Sequence, residues 1–317
     1  MSPSLPPSDP DSLPPAHQDS LPPARPTYLG PNQYGKAENR VVRITRDGAT
    51  HHVKDLNVSI ALSGDMDEVH YSGSNANVLT TDAMKNTVYA FAKEYGIASA
   101  EQFGMHLARH FVSSQESIRR ARIRIEEYTW ERITEQHSFV RKGQETRTTE
   151  ISYDGETWQV ISGLTGLVVM NSTDSEFWGF AKDKYTTLPE TQDRILATEV
   201  NARWRFGRPG DDGADPAPDW DSRYAEVRRL LLEAFAGTYS LSLQQTLYTM
   251  GTRVIEGVPE IDEVRLSLPN KHHFLVDLAP FDLKNDNEVY FAADRPYGLI
   301  EGTVLRDGAQ ARIPITD

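Results

Sequence analysis

The chain has 317 residues, of which 46 are acidic and 33 are basic, so its formal net charge is −13. An acidic balance argues against general nucleic-acid binding, which requires a basic footprint. Cysteine is absent, which excludes disulfides, thiolate catalysis and cysteine-ligated metals. No apolar run approaches the roughly 18 residues of a transmembrane helix, and the N-terminus lacks the pattern of a signal peptide. We therefore expect a cytoplasmic protein that binds neither nucleic acid nor membrane.

The first 33 residues differ in composition from the rest of the chain. Ser-Leu-Pro-Pro occurs at 4–7, 12–15 and 20–23, and nine of the 19 prolines lie in the first 30 residues. Proline fixes φ and donates no backbone hydrogen bond, and this segment has little apolar surface to bury. We expect residues 1–33 to form a disordered tail that is partly polyproline II. An inert extension and a ligand for a proline-recognition domain both remain open.

The first half of the remaining chain predicts a strand pair, a helix pair and a second strand pair. A helix is expected from residue 80, where Thr-Thr-Asp precedes apolar residues at helical spacing. A second helix is expected after Ser99, because Ser99 and Gln102 form a capping box. Alternating or β-branched apolar residues predict strands at 40–46, 56–62, 118–134 and 144–152.

The second half repeats this order. Helices are expected near 221–236 and from Ser242, which again has a glutamine, Gln245, three residues later. The repeat lies in the order of elements and not in residue identity. It predicts an α+β fold with two similar domains, 34–166 and 167–317, each with an antiparallel sheet and paired helices on one face. Strands are predicted at 174–186, 193–206, 262–268, 272–278 and near 299–305.

Two conspicuous patterns are interpreted as structural. Residues 119–124 are rich in arginine, and Arg122 and Arg124 share one face of a predicted strand, which we interpret as solvated. His106 and His110 lie four residues apart on a predicted helix, but no third ligand accompanies them, so no metal site is predicted. The sequence contains neither a phosphate-binding loop nor a dinucleotide fingerprint.

Several polar or aromatic residues stand at the ends of predicted elements, where ordinary turn residues would suffice. An arginine or glutamine at such a position is more often solvated than functional, so none of these residues identifies a site alone. They are Lys36 before the first strand, Thr81 and Asp82 at a helix start, Phe177 and Arg194 at strand starts, Gln244 in a first helical turn, and Asn270 and His272 before a strand.

Five segments together resemble the urate oxidases (uricases), and the resemblance runs from Tyr34 to about Val304. The family has the tunnelling fold (T-fold), so the resemblance implies two tandem T-fold domains that assemble into a barrel-like tunnel as a homotetramer. It also implies oxidation of urate by O2 and water to 5-hydroxyisourate and hydrogen peroxide, with no metal or organic cofactor. The segments are YGK (34–36), TTDAMKNTVY (80–89), DSEFWGFAKDKYTTLPETQDRIL (174–196), SLQQTLY (242–248) and SLPNKHHF (267–274).

The resemblance assigns substrate binding to one set of residues. Arg194 and Gln244 would bind the planar urate anion, Phe177 would stack on it, and Leu243 and Asp82 would offer main-chain N–H groups. The side-chain chemistry fits these roles. An arginine fork matches adjacent acceptors bidentately, a glutamine amide both donates and accepts, and an aromatic face holds a flat ring.

A second set would handle protons and oxygen. Thr81, which also contacts the substrate, would form a proton relay with Lys36 and His272, and Asn270 would hold O2 or water above the ring. A threonine hydroxyl is a poor base alone but can pass a proton to a neutral lysine amine. The resemblance further implies that Lys36 and Thr81 face residues of a neighbouring subunit, so that two chains share each site.

Three alternatives remain open. One is another purine or pterin enzyme of the same fold, which would generally use zinc and a histidine or cysteine cluster. Another is a non-catalytic purine-binding protein, which would not need Lys36, Thr81 and His272. The third is a scaffold recruited through the proline-rich tail, which would not need the pocket residues at all.

Overall fold

A computed structural model of the chain describes residues 27–207 and 218–315. The chain from Gln33 onwards forms one compact unit. The Ser-Leu-Pro-Pro repeats of the predicted tail lie outside the described residues. No helix in the described ranges combines the length and the apolar character needed to cross a bilayer.

The described parts of the chain contain twelve strands, five α-helices and a short 3-10 helix (Ala279–Phe281). The strands are β1 (Tyr34–Asp47), β2 (Thr50–Gly64), β3 (Ile118–Tyr128), β4 (Trp130–Arg132), β5 (Phe139–Arg141), β6 (Thr146–Tyr153), β7 (Trp158–Asn171), β8 (Leu196–Phe206), β9 (Ile261–Pro269), β10 (His272–Leu275), β11 (Tyr290–Ala293) and β12 (Leu299–Leu305). The helices are α1 (Asp67–Tyr71), α2 (Thr81–Glu94), α3 (Ala100–Ser114), α4 (Trp220–Gly237) and α5 (Leu243–Gly257).

Eight strands form one antiparallel sheet in the order β1-β2-β3-β6-β7-β8-β9-β12. Helices α2 and α3 lie between β2 and β3 in the chain, and α4 and α5 lie between β8 and β9. The first four and the last four strands of the sheet therefore follow the same order, each with a helix pair in the middle. This confirms the α+β class and the large antiparallel sheet, whereas the division into two domains stays a prediction.

Several predicted strands differ from those observed. The strand predicted over 118–134 is split between β3 and β4, and β7 was not predicted. β7 was not predicted because two glycines interrupt its pattern of apolar residues. A Cβ at Gly163 would lie 2.6 Å from the Ala202 carbonyl oxygen, and Gly166 has a φ of +78° at a bulge. Since β7 spans Trp158–Asn171, the expected boundary at 166/167 falls inside this strand.

The prediction of a strand over 174–186 is wrong. The segment is a loop with isolated bridges at Ser175 and Phe177. The Asp183 carboxylate accepts hydrogen bonds from the Tyr185 N–H and the Thr186 hydroxyl at 2.9 and 2.8 Å, which holds the chain in a local turn.

The helices cover one face of the sheet, and the apolar core lies between them. In β3, for example, Ala121, Ile123 and Ile125 are buried against the helices, and the intervening residues point to the opposite face, here called the open face. Ser99 accepts the Gln102 N–H at 3.1 Å, so Ser99 is the N-cap of α3 and the helix begins where expected.

A buried ionic cluster joins the helices of the two halves. Arg147 on β6 donates to Glu101 on α3 at 2.7 Å and to Asp221 on α4 at 2.6 Å. Glu101 is fully buried and also accepts the hydroxyls of Thr149 and Ser162 at 3.1 and 2.6 Å. A buried charge is tolerable when paired and hydrogen-bonded in this way, and removal of one partner is strongly unfavourable.

The last described residues, 306–315, cross the open face and are called the C-terminal strap. The fully buried carboxylate of Glu263 accepts the backbone N–H groups of Arg312 and Ile313 at 2.9–3.0 Å. Arg205 donates to the same carboxylate at 2.9 Å and to the Gln310 carbonyl at 3.2 Å. One buried carboxylate thus fixes the strap on the sheet.

We expect Arg147→Met to lower the free energy of unfolding by about 3–5 kcal/mol, because it leaves Glu101 buried and unpaired. Urea unfolding measures this change, and Arg147→Met combined with Glu101→Leu should recover most of the loss. The control is Arg229→Met, which removes an exposed pair with Glu233 and should cost about 0.5 kcal/mol or less. A loss below about 1 kcal/mol for Arg147→Met would contradict the stabilising role of the cluster.

Candidate active site

The first group of predicted site residues lies at the N-terminus of α2. The Thr80 hydroxyl accepts the Ala83 N–H at 3.1 Å, and the Thr80 carbonyl accepts the Met84 N–H at 3.2 Å. Thr80 therefore caps the helix, and Thr81 and Asp82 occupy its first two positions, whose N–H groups have no acceptor within the helix. This arrangement leaves the half-buried Thr81 hydroxyl and two N–H donors at the positive end of a helix.

Lys36 lies within β1, and not before it as expected from the sequence, at a bulge that separates Lys36 from Asn39. The Tyr34 hydroxyl donates to the Leu79 carbonyl at 2.9 Å, which ties β1 to the segment before α2. Gly35 has to be glycine, because a Cβ at this position would lie 1.7 Å from the Ile60 carbonyl oxygen.

The same end of α2 carries an electrostatic link to Lys36. The pKa of the Asp82 carboxyl is lowered, mainly by its hydrogen bond and charge interaction with Lys85 at 2.6 Å and to a smaller extent by the charge of Lys36. Lys36 thus lies within electrostatic range of Asp82, which follows Thr81 in the first turn of α2.

The second group is organised around Arg194 and Phe177. The Arg194 N–H donates to the Ser175 carbonyl at 2.9 Å, and its Nε donates to the Ser175 hydroxyl at 3.1 Å. Backbone hydrogen bonds of 2.8 and 3.0 Å join Phe177 to Thr191. The Arg194 guanidinium lies over the Phe177 ring, 5.1 Å from its centre, which is a cation–π contact. Burial lowers the pKa of Arg194.

Buried serines connect this loop to the N-terminus of α5. The Glu176 N–H donates to the Ser240 carbonyl at 2.8 Å, and the Ser240 N–H donates to the Asp174 carbonyl at 2.8 Å. Ser242 caps α5 by accepting the Gln245 N–H at 3.2 Å. Leu243 and Gln244 then occupy the first two helical positions, with Leu243 buried and Gln244 exposed.

His272 lies beside Arg194, and Asn270 lies on the same segment after β9. The pKa of the half-buried His272 imidazole is lowered by burial and then by the positive charges of Arg194 and His273. Asn270 donates its backbone N–H to the Gly298 carbonyl at 2.9 Å and pairs with Thr198 in an isolated bridge. A neutral imidazole can accept a proton, and a guanidinium can donate to an anion, so the second group contains side chains suited to both.

The two groups lie at different places on the sheet. Lys36 is on the edge strand β1, and Arg194 precedes β8, which is the sixth strand in order. Five strand spacings correspond to about 24 Å along the sheet. None of the hydrogen bonds, ion pairs or ring contacts found among the described residues joins one group to the other.

The residues that hold these groups in place were not predicted from the sequence. Ser175, Ser240 and Thr246 are fully buried, and Thr246 donates to the Ser240 hydroxyl at 2.8 Å. Tyr34 and Gly35 position Lys36. The segments that carry the resemblance contain four of these five residues, but only the fold shows that their polar groups face one another.

No cluster of three or more potential metal ligands from histidine, aspartate and glutamate occurs within residues 27–207 and 218–315. The His106–His110 pair instead packs against aromatic rings, with His106 5.6 Å from Tyr95 and His110 4.8 Å from Phe91. These contacts agree with the structural interpretation of the pair.

Comparison with known proteins identifies the family. A family model described as uricase matches residues 32–152 and 160–301. The uricase of Arthrobacter globiformis is 52% identical over 288 residues, which cover 90% of this chain and 93% of that protein. The uricase of Oryctolagus cuniculus is 37% identical, covering 86% and 93%. The crystal structure of the Arthrobacter globiformis uricase has a TM-score of 0.87 at 51% identity and covers 92% of this chain and 99% of that one.

The chain therefore belongs to the uricase family of oxidoreductases. This confirms the family that the five sequence segments predicted. The residue assignments within the site remain predictions.

We expect His272 to titrate below the ordinary histidine value of about 6.5, because burial and Arg194 both disfavour the imidazolium. NMR titration of the ring resonances, assigned with His272→Gln, measures the midpoint. Arg194→Met should raise it, since one positive charge is removed while the burial remains. A midpoint at or above 6.5 in the unmodified protein, or no change in Arg194→Met, would contradict this geometry.

Proposed function

We propose that the chain oxidises urate with O2 and water to 5-hydroxyisourate and hydrogen peroxide, using neither a metal ion nor an organic cofactor. Urate oxidation follows from membership of the uricase family. We further propose the products, the absence of a cofactor and the roles of the residues. The observation that carries it is the convergence of Arg194, Phe177 and His272 beside the exposed N-terminus of α5.

Recognition of urate is assigned to the second group. The Arg194 fork would bind two adjacent acceptors of the anion, and Gln244 would pair with an edge that both donates and accepts. The Phe177 ring would stack on the purine, and the Leu243 N–H would donate at the positive end of α5. Asn270 would hold O2 or water above the ring. The short distance between Arg194 and Phe177 supports a shared flat ligand.

Proton transfer is assigned to Lys36, Thr81 and His272. Urate has to lose a second proton before it becomes reducing enough to give an electron to O2. The Thr81 hydroxyl, which Thr80 leaves free of the capping role, would pass this proton to Lys36, and His272 would accept or return a proton at the other side. The Asp82 N–H would donate to the substrate from the same helix end. The urate ring itself would store the electron density that a flavin otherwise supplies.

Completion of the site is assigned to a second copy of the chain. Lys36 and Thr81 lie about 24 Å along the sheet from Arg194, so one chain would hold two halves of different sites. In the tunnelling-fold arrangement, sheets of several subunits close into barrels that stack as a homotetramer. The edge strand β1 would then place Lys36 and Thr81 opposite Arg194, Gln244 and His272 of the neighbour.

The proposed relay is tested by Lys36→Met, with loss of urate absorbance and oxygen uptake measured on chelator-treated protein. We expect a rate loss of ~10²–10⁴-fold, as is typical for acid–base groups, and near-normal binding of an unreactive purine analogue. Arg194→Lys should instead weaken analogue binding, because the bidentate fork is lost.

Lys93→Met is the matched control, because Lys93 is an exposed lysine in the last turn of the same helix, α2. It should leave both rate and binding unchanged. Near-normal turnover by Lys36→Met would show that the assigned base is wrong. Loss of unmodified activity on chelation, restored by one metal, would refute the metal-free reaction.

A further inference from the structure

The basic run in β3 is divided between two environments. Arg120, Arg122 and Arg124 alternate with buried residues and therefore lie on the open face. Arg124 pairs with Glu150 at 2.8 Å. Arg120 and Arg122 have no carboxylate within ion-pair distance in the described parts of the chain. Arg122 is half-buried, and the residues directly opposite it are Ala61 and Ser152.

The C-terminal strap brings a third arginine to this area. Glu263 holds the backbone N–H groups of Arg312 and Ile313, and Ile313 is buried on the open face. The Arg312 side chain then lines a cavity of about 240 Å³ together with Arg120. Ser152 and Gln159 contribute a hydroxyl and an amide to the same lining. A fully buried carboxylate thus fixes the strap where Arg312 and Arg120 line one cavity.

The charge balance of this cavity is unusual for an acidic chain. Acidic residues outnumber basic ones by 46 to 33, and the neighbouring Arg119 pairs with Asp65 at 2.6 Å. Among the described lining residues, Asp154 alone carries a carboxylate, and it accepts the Glu156 and Thr157 N–H groups at 3.1 and 2.7 Å. The two guanidinium groups of the lining, those of Arg120 and Arg312, against this one carboxylate leave an excess of one positive charge.

Arg122 adjoins this cavity, because it lies opposite the lining residue Ser152 on β6. Its pKa is lowered by burial and then by the positive charge of Arg124, with Arg120 contributing less, and Glu150 acts in the opposite direction. A partly desolvated cation without an ion-pair partner is stabilised by an anion that enters its surroundings.

We propose that this cavity, which Arg120 and Arg312 line and Arg122 adjoins, is a binding site for a small oxyanion, of which inorganic phosphate is the simplest. Guanidinium forks bind tetrahedral oxyanions through paired charge-assisted hydrogen bonds. The Ser152 hydroxyl and the Gln159 amide supply neutral donors for the remaining oxygens. The site is independent of the urate-binding residues, so it does not depend on the proposed function.

Calorimetric titration of the full chain with sodium phosphate, without urate and at constant ionic strength maintained with sodium chloride, tests the proposal. We expect saturable binding at one site per chain. Arg120→Gln and Arg312→Gln should each weaken phosphate binding by about 10-fold or more, because a charge-assisted contact is lost. Arg312 and Arg120 are exposed, so these variants should fold normally.

Two control variants separate this site from other sources of anion binding. Arg119→Gln removes the adjacent arginine, which pairs with Asp65, and Arg194→Gln removes the arginine assigned to urate. Both should bind phosphate as the unmodified chain does. Absence of saturable binding at matched ionic strength would overturn the proposal. An equal loss in Arg119→Gln, or a loss in Arg194→Gln without one in Arg312→Gln, would overturn it as well.

Discussion

The backbone hydrogen bonds that join eight strands from β1 to β12 are the constraint on which the rest of the structure depends. Because neighbouring strands are about 4.8 Å apart, this ladder fixes where each strand end lies relative to the others. It places Lys36 on one edge and the Arg194 loop beside the sixth strand. The buried Arg147 cluster then holds α3 and α4 over the middle of the sheet. The separation of the two groups is thus set by the main chain.

Both groups use the same property of an α-helix. Each of the two helices begins with a hydroxyl that caps the N–H three residues later, through Thr80 in α2 and Ser242 in α5. The next two residues keep their N–H groups unpaired within the helix and near the positive end of its dipole. The two helices are not equivalent in the repeat, since α2 begins one helix pair and α5 ends the other. The shared chemistry therefore arises from helix ends and not from the repeat itself.

Much of this architecture could be predicted from the sequence, because helices and their caps depend on neighbouring residues. The Ser99–Gln102 and Ser242–Gln245 pairs gave correct helix starts, and the amphipathic faces gave the core. The loop after β7 could not be predicted, because its backbone bonds go to Thr191 and Ser240, which are distant in sequence. A different reason explains why β7 was not predicted: two glycines and one bulge interrupt the alternation that marks a strand.

The site residues were predicted from the family resemblance, whereas the residues that hold them in place were not. Tyr34 reaches the Leu79 carbonyl 45 positions later, and Ser175 meets Arg194 across a loop. Contacts of this kind have no local signal, since they depend on the sheet register. In the same way, the strap residue Arg312 lines a cavity with Arg120, and Glu263 binds the strap backbone there.

The central claim is that two copies of the chain complete each site, and mixing two inactive variants tests it most directly. Lys36→Met and Arg194→Ala protein would be dissociated reversibly, combined in equal amounts and reassembled. Random pairing would give intact halves at about one quarter of the sites, so about one quarter of the unmodified activity should return. Oligomers verified to contain both variants but lacking any recovered activity would contradict the shared site.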